Sequence, residues 1–233
     1  MRVFKGFAAS IIGAAVLASG SAFAQDMSQP ANWAGFYAGV EAGYGFGTAE
    51  WRNEPVGVPI NADLDGVFGG VQGGYNFQHG NFVFGPSAAF LLSGIEGNGI
   101  YRAPPFFGAT IRQDRTSNLE WLGLLNAKAG YDFNGWLPYV TGGLAIGQVK
   151  GTSGAFNETT GTAFGTTESS RETHLGFNIG AGLETKITSN LSLGAEYKYV
   201  DLGQSTYTFP TQASRKVSVH TNLFSLKLSY SFN

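Results

Sequence analysis

Apolar and polar residues alternate along this chain in a way that predicts β-strands. From Phe36 to Phe46, the even positions carry Phe, Ala, Val, Ala, Tyr and Phe, whereas the odd positions carry Tyr37, Glu41 and three glycines. Successive side chains of a strand point to opposite faces, so a period of two predicts one apolar face and one polar or small face. The pattern recurs and predicts eight strands, at 33–47, 65–77, 82–93, 118–132, 136–149, 173–186, 191–201 and 217–232.

The connections between the predicted strands alternate between short and long. Tight turns are expected at 78–81, 134–135 and 188–190. Long polar loops are expected at 48–64, 94–117, 150–172 and 202–216. Outer-membrane barrels have short periplasmic turns and longer extracellular loops. The sequence therefore predicts an all-β fold, an eight-stranded antiparallel up-and-down transmembrane β-barrel with both chain ends on the periplasmic side.

The apolar face of each predicted strand is expected to meet lipid, and the polar face to line the interior. A Lys or Arg on the lipid face would cost about 2–4 kcal/mol at the bilayer midplane. Seven charged residues are accordingly predicted to lie inside the barrel: Glu41, Glu120, Lys128, Glu184, Glu196, Lys198 and Lys227. A soluble eight-stranded barrel has apolar side chains or a ligand inside. Here the inward set also contains Gln72, Asn126, Asn178 and many glycines, so the chain is inside-out relative to a soluble barrel.

Aromatic residues gather near both ends of the predicted strands. Trp33 and Trp136 lie near the turn ends, and Trp121 lies near a loop end. Rings with an apolar body and a polar edge favour the membrane–water boundary. We therefore expect two lipid-facing aromatic girdles, and the apolar series of the fourth strand places Leu119 beside Trp121 on the outer face.

The first 24 residues have the composition of a secretory signal peptide. Arg2 and Lys5 precede an apolar core at 8–17, and residues 22–24 form an A-x-A cleavage site. A retained N-terminal anchor is the alternative interpretation. Cleavage would leave a short N-terminal arm at 25–32 and the barrel at 33–233, exported to the outer membrane of a Gram-negative cell.

Composition narrows the function classes. Charged residues make up 13% of the chain, whereas about a quarter is typical of soluble domains. The chain has no cysteine, so an exported fold must be stable without disulfides. Removing Arg2 and Lys5 lowers the 14 basic residues to 12 against 16 acidic ones, a net charge of −4 that disfavours nucleic acid as a partner. No mature segment is long and apolar enough to predict a membrane-spanning helix.

Three segments carry a family resemblance: WAGFYAG at 33–39, WLPYVTGG at 136–143 and LSLGAEYKYVDLG at 191–203. With them the chain resembles the small alphaproteobacterial outer-membrane β-barrel proteins, the porin-like, RopB-type or OmpA-like transmembrane barrels. The resemblance implies an eight-stranded barrel that the outer-membrane assembly machinery inserts. Some relatives are described as porins, some as surface antigens and some as haemin-binding proteins. The family has no shared catalytic residues to carry over.

The predicted interior charges fit either a salt-bridged plug or the lining of a narrow pore. Eight strands enclose a space that side chains can just fill, which favours the plug. An enzyme is not predicted, because His79, His174 and His220 do not converge with a nucleophile and a base. No metal or cofactor site is predicted, since the histidines also offer no axial-ligand geometry for haem.

The second predicted loop is basic and aromatic. Its Tyr101, Arg102, Arg112 and Arg115 are candidate ligand contacts, because guanidinium forks bind phosphates and carboxylates. A solvated loop without a ligand is the plainer interpretation. The sequence thus predicts a structural or passive-diffusion barrel among outer-membrane lipids and lipopolysaccharide. The alternative is a surface protein whose loops bind haemin, lipopolysaccharide or a host partner.

Overall fold

The computed structural model describes residues 31–53, 59–102, 111–158, 160–163, 167–208 and 215–232, which form β-strands and their connections. The strands are β1 (Gly35–Asn53), β2 (Pro59–His79), β3 (Phe82–Arg102), β4 (Ile111–Tyr131), β5 (Trp136–Asn157), β6 (Thr162–Ala163), β7 (Glu168–Lys186), β8 (Leu191–Tyr207) and β9 (Arg215–Ser231). None of the described residues forms a helix long and apolar enough to cross a membrane. The predicted signal peptide at 1–24 and residues 25–30 of the predicted arm lie outside the described residues.

The eight long strands close into a barrel. Each pairs antiparallel with the next long strand along the chain, and β1 pairs with β9 to complete the ring. The two-residue β6 only extends the end of β5. The pairing of β7 with β8 runs from Lys186 and Ser192 up to Phe177 and Asp201, so the ring is closed over this height, whereas above it the two strands are not paired. The predicted eight-stranded up-and-down barrel is confirmed.

The tight turn between β4 and β5 has the geometry that its sequence predicts. Asn134 and Gly135 have positive φ values of 52° and 92°. Two consecutive positive φ values are required in a type I′ hairpin, and Asn-Gly is the sequence that best tolerates them.

The outer face carries a continuous apolar band. Phe36, Val67, Leu92, Leu175 and Leu226 are between 64% and 69% exposed. On β5 the outward apolar series runs from Trp136 to Ile146, ten residue steps or about 34 Å along the strand. A strand tilt of roughly 40° gives a band about 26 Å tall, which matches the apolar band of an outer-membrane barrel.

The strands continue well beyond this band, into segments that the sequence predicts as loops. β1 extends to Asn53, and β5 extends to Asn157. Above the band the alternation is inverted: Glu50 and Arg52 of β1 point outward, whereas Ala49 and Trp51 are fully buried inside. The strand predictions rest on apolar outward positions. The predicted strands therefore end where the lipid-facing band ends, although the observed sheet continues into water.

A β-bulge in β4 overturns two of the sequence predictions. The register shifts between Leu119 and Trp121, which adds one residue, Glu120, relative to β5. A bulge reverses the inward and outward alternation on one side of it. Leu119, predicted to face lipid, is therefore inside and 1% exposed. Glu120, predicted to lie inside, instead pairs with the outward Arg171, with 3.0 Å between Oε1 and Nε.

Candidate functional site

Side chains fill the barrel interior in three layers. The mouth at the tight-turn end of the barrel holds Trp33 packed on Val83 and Leu137. Above it lies a layer of ionised residues, and above that an apolar cluster reaches the outer rim. The interior is the place where a pore or a binding site would have to be, so its chemistry decides which functions the barrel supports.

Three glutamates and three lysines form the middle layer, called here the charged layer. They are Glu41, Lys128, Glu184, Glu196, Lys198 and Lys227, each between 3% and 6% exposed. They carry equal numbers of both signs, so the layer as a whole is neutral. A buried charge is tolerated only when it is paired, because the desolvation cost per ion is several kcal/mol.

Ion pairs join the charged layer into one chain of alternating sign. The order is Glu41–Lys198–Glu196–Lys227–Glu184–Lys128. In the centre, Lys227 Nζ lies 2.9 Å from Glu196 Oε2 and 3.8 Å from Glu184 Oε1. Glu196 also contacts Lys198, so each central group touches an opposite charge on both sides. Removing a central member would leave each of its two neighbours with only one of its two opposite charges.

Two inward tyrosines complete the charged layer. Tyr139 donates its hydroxyl proton to Glu196 and accepts a hydrogen bond of 3.3 Å from Lys227 Nζ. Lys128 Nζ, at the end of the ion-pair chain, lies 4.8 Å from the ring centroid of Tyr37 and 5.1 Å from that of Tyr139. The quadrupole of an aromatic face attracts a cation, so the two rings stabilise the terminal lysine.

An inward glycine makes room for one of these rings. A Cβ added at Gly182 would lie 2.5 Å from the Tyr139 ring. The many inward glycines of the sequence therefore include positions that leave space for large polar side chains from neighbouring strands. Sequence analysis missed the role of Tyr139, although a tyrosine on a glycine-rich face is the signal that could have found it.

The upper interior is apolar, contrary to the prediction of a polar and glycine-lined inside. Eighteen buried residues form this apolar plug: Ala49, Trp51, Ala62, Leu64, Phe68, Leu91, Ile95, Leu119, Leu122, Leu124, Ala145, Val149, Val200, Leu202, Tyr207, Val217, Val219 and Leu223. All of them are 6% exposed or less. The sequence prediction holds for the lower half of the interior and is wrong for the upper half.

A few hydrogen bonds fix the large rings of the apolar plug. Trp51 Nε1 donates to Ser117 Oγ at 3.0 Å. Tyr207 donates its hydroxyl proton to the Val149 carbonyl at 3.1 Å, and His174 Nε2 lies 2.9 Å from the same hydroxyl oxygen. A buried polar group is costly unless it is hydrogen-bonded. Because these contacts satisfy the polar atoms of the rings, the rings can pack inside an otherwise apolar cluster.

A small cavity lies within the charged layer. A cavity of about 10 Å³ lies among Tyr37, Gln72, Asn126 and the lysines of the charged layer. One water needs a cavity of about 10–15 Å³. This cavity therefore has room for about one water.

The segment before β1 covers the mouth at the tight-turn end of the barrel. Ala31 N and Trp33 Nε1 donate to the two carboxylate oxygens of Asp132, at 2.9 and 3.0 Å. Gln78 holds the backbone of the same segment from the β2 side, accepting from Trp33 N at 2.7 Å. Trp33 was predicted to join the lipid-facing girdle but is 2% exposed. Trp33 lies at an odd position, and the odd positions of this segment, such as Tyr37 and Glu41, point inward, so the alternation itself places the ring inside.

The structure brings together two of the four predicted ligand contacts, because Arg102 and Arg112 are opposed in the pairing of β3 with β4 and both contact Glu158. Arg102 Nε lies 2.9 Å from Glu158 Oε1, and Arg112 Nη2 lies 2.6 Å from Asp114 Oδ2. The hydrogen bond to Asp114 raises the pKa of the Arg112 guanidinium above its usual value.

The other two predicted contacts lie elsewhere on the same strands. Arg115 is only 2% exposed and points to the other face, where it donates to Gln113 Oε1 at 3.0 Å. Tyr101 lies opposite Gln113 in the pairing of β3 with β4. Arg102, Arg112 and Arg115 are thus engaged within the chain.

The histidines lie apart, as the sequence predicts. His174 is fully buried in the interior, whereas His220 lies on the outward-facing series of β9. Within the described part of the chain, no group of three or more His, Cys, Asp or Glu side chains is arranged to hold a metal ion.

Comparison with known proteins agrees with this architecture. Residues 12–232 match the outer membrane protein beta-barrel domain family. The chain is 32% identical over 211 residues to the 31 kDa outer-membrane immunogenic protein of Brucella melitensis, covering 86% of this chain and 84% of that protein. It is 30% identical to the 25 kDa outer-membrane immunogenic protein of the same organism, with all of both chains covered.

A third relative extends the comparison beyond Brucella. The chain is 29% identical over 179 residues to a 22 kDa outer membrane protein of Rhizobium leguminosarum, covering 76% of this chain and 67% of that protein. The family match and the relatives together place the protein in the outer membrane, in the setting that its apolar band requires. The chain belongs to the outer membrane protein beta-barrel domain family, in its small alphaproteobacterial branch.

Proposed function

We propose that this protein is a closed structural barrel of the outer membrane and not a passive-diffusion pore. The observation that carries the proposal is the filled interior, in which the apolar plug stands directly above the charged layer. An ion crossing the barrel would have to lose its water in the plug and then break ion pairs below it. The desolvation cost alone is several kcal/mol per charge.

Single-channel recording in planar bilayers tests this proposal. The refolded mature protein is expected to give no stable conductance steps, with heat-modifiable migration on gels as the check that the barrel has folded. A large porin inserted into the same lipid is the positive control. Large and reproducible steps from the folded monomer would contradict a closed barrel and favour the passive-diffusion alternative.

We also propose that the strand ends above the apolar band are presented at the cell surface. The relatives named as immunogenic outer-membrane proteins support this part of the proposal. The chain has no cysteine, so a single introduced thiol reports its own location. Ser169→Cys near the start of β7 should react with a membrane-impermeant maleimide on intact cells. Ser189→Cys, in the turn between β7 and β8, should react only after the outer membrane is opened.

Surface binding of a ligand remains the second candidate. The basic residues Arg102 and Arg112 support it, although their partners Glu158 and Asp114 would have to release them. A haemin or phosphate ligand that used them would lose affinity in an Arg102→Ala/Arg112→Ala variant. We propose no catalytic role, and family membership supports insertion by the outer-membrane assembly machinery.

A further inference from the structure

An apolar groove interrupts the lipid-facing band on β4, β5 and β7. Its volume is about 300 Å³, and its outward lining consists of Gly123, Leu125, Leu144, Ile146 and Leu175. Gly123 leaves the gap, because it stands in register between Phe90 and Ile146 in a row of large side chains. The groove is therefore a feature of the outer surface at the upper edge of the band.

Two cations stand directly above this groove. Lys150 follows Ile146 by four residues on the same face of β5, and Arg171 precedes Leu175 by four residues on the same face of β7. The two cations are directly opposed in the strand pairing. Like charges in that position destabilise a sheet. An anion placed between them would remove the repulsion.

The charges around this pair leave a positive excess. Arg171 Nε donates to both carboxylate oxygens of Glu120, at 3.0 and 3.1 Å, so Glu120 balances one of the two positive charges. Lys150 forms no ion pair with a carboxylate of the described residues. Arg171 is 57% exposed in its side chain, so an incoming ligand can reach it.

The pair lies at the depth of lipid headgroups. Four residue steps above Ile146, at a tilt of roughly 40°, place Lys150 about 10 Å beyond the edge of the apolar band. Trp121 marks the same boundary, with its Nε1 donating to Gln148 Oε1 at 3.3 Å, between the groove and the cations. From the groove upward, the surface is first apolar, then amphipathic at Trp121, and then cationic at Lys150 and Arg171. This sequence matches the acyl chains and the headgroup of one lipid.

We propose that this surface is a binding site for lipopolysaccharide of the outer leaflet. An acyl chain lies in the groove beside Gly123, and a phosphate of the diglucosamine headgroup lies between Lys150 and Arg171. Guanidinium groups bind phosphate through paired hydrogen bonds, and lysine adds a point charge. The site depends on outer-membrane insertion but not on whether the barrel conducts, so a conductance result leaves it unaffected.

A larger groove elsewhere on the lipid face lacks this combination. It measures about 720 Å³ and is lined by Ala42, Tyr44, Ala181, Tyr197 and Phe224 among others. The next outward positions above it on β1, β8 and β9 are Phe46, Tyr199 and Asn222, none of which is a cation. This second groove can take lipid chains without selecting a headgroup.

The site is tested by measuring the binding of lipid A to the refolded mature protein in detergent, with calorimetry as the readout. The probe is hexa-acylated lipid A that carries both phosphates. Dephosphorylated lipid A and acyl-free glucosamine phosphate are the two comparison ligands. We expect the phosphorylated lipid to bind at least about tenfold more tightly than either one, since each loses one half of the site.

Matched variants assign the binding to this surface. Lys150→Ala/Arg171→Ala should weaken lipid A binding at least about tenfold, whereas Arg52→Ala/Lys216→Ala, which removes one arginine and one lysine from other outward positions, should change it less than about twofold. Gly123→Leu should fill the groove and weaken binding. Gly142→Leu is its control, because the nearest atoms to an added Cβ are 3.2 Å away at Gly123 and 3.3 Å away at Gly142.

Three results would overturn the proposal. They are equal binding of phosphorylated and dephosphorylated lipid, equal binding of the acyl-free headgroup, and equal losses in the two double variants. Heat-modifiable migration of every variant separates loss of binding from loss of folding.

Discussion

The charged layer and the apolar plug occupy the same barrel yet have opposite chemistry. Around the charged layer the outer face meets lipid, and burying an apolar side chain inside gains little, because lipid tails are as apolar as leucine. The lower plug residues Leu124 and Ala145 stand at the height of the lipid-facing Leu125 and Leu144. Around the upper plug residues Ala49 and Trp51 the outer face meets water, and apolar groups there gain from burial as they do in a soluble protein. The solvent outside the wall therefore favours an apolar interior in the upper part of the plug, whereas its lower part extends into the lipid band.

The two regions also hold the barrel together differently. The charged layer depends on pairing, because each ion is stable only while its neighbours remain ionised and in contact. The apolar plug depends on packing, which falls off gradually as volume is removed. Single substitutions should therefore have a sharper effect in the charged layer than in the plug.

The largest effect is expected from Glu196→Ala. The change leaves Lys198 and Lys227 without their shared carboxylate in a buried site. Breaking a buried pair costs about 3–5 kcal/mol in unfolding free energy. Urea unfolding in lipid vesicles measures it, and Glu120→Ala is the matched control, expected to cost less than about 1 kcal/mol as an exposed pair. Equal losses would show that the charged layer is not held by pairing.

A Leu122→Ala variant tests the packing of the apolar plug. Leu122 is 1% exposed, and its truncation should cost about 2–5 kcal/mol, because a cavity remains in a packed cluster. Leu125→Ala, three residues along β4 and lipid-facing, should cost less, since lipid closes over the missing atoms. The same urea titration compares them. A larger loss at Leu125 would mean that the interior above the charged layer is not tightly packed.

An arginine scan along the outside of β5 tests where lipid ends and water begins. Leu144→Arg lies within the apolar band and should cost about 2–4 kcal/mol of folding free energy in bilayers. Thr152→Arg, on the same face eight residues further, should stay within about 0.5 kcal/mol, as surface substitutions do. If both positions were equally costly, the boundary near Ile146 would be misplaced.

The smallest of the expected effects is that of the hydrogen bond between Trp51 and Ser117 within the apolar plug. Trp51→Phe removes this bond, which should account for about 0.5–1.5 kcal/mol, and the smaller phenyl ring adds a packing loss of its own. A double-mutant cycle with Ser117→Ala isolates that bond. A coupling energy near zero would show that the plug is held by packing alone.

Sequence reasoning succeeded where one rule operates over a whole strand. The alternation from Phe36 to Phe46 predicts both the strand and its lipid-facing side, and the structure agrees. It failed where the rule changes within a strand. The inverted alternation above the membrane hid the upper halves of β1 and β5, and the bulge at Glu120 displaced that residue and Leu119.

The candidate sites required information that the sequence does not carry. Six charges could be assigned to the inner face, but their order along one ion-pair chain depends on which strands become neighbours at a given height. The closure of the ring brings Glu41 of β1 to Lys198 of β8 across β9. Likewise, Lys150 and Arg171 become opposed only through the register of β5 with β7.

The sequence by itself determined the class of the fold, because a period of two with apolar and charged faces kept apart is stable only as a closed barrel in lipid. Only the tertiary structure decided that the barrel is filled, that its filling changes from ionic to apolar within the height of the lipid-facing band, and that Trp33 covers the mouth. The physical reason is that alternation records which solvent a face meets, whereas volume, register and ion pairing arise between strands distant in sequence. The local sequence of each strand decides which side chains point inward, and the closure of the barrel decides which of these side chains contact one another.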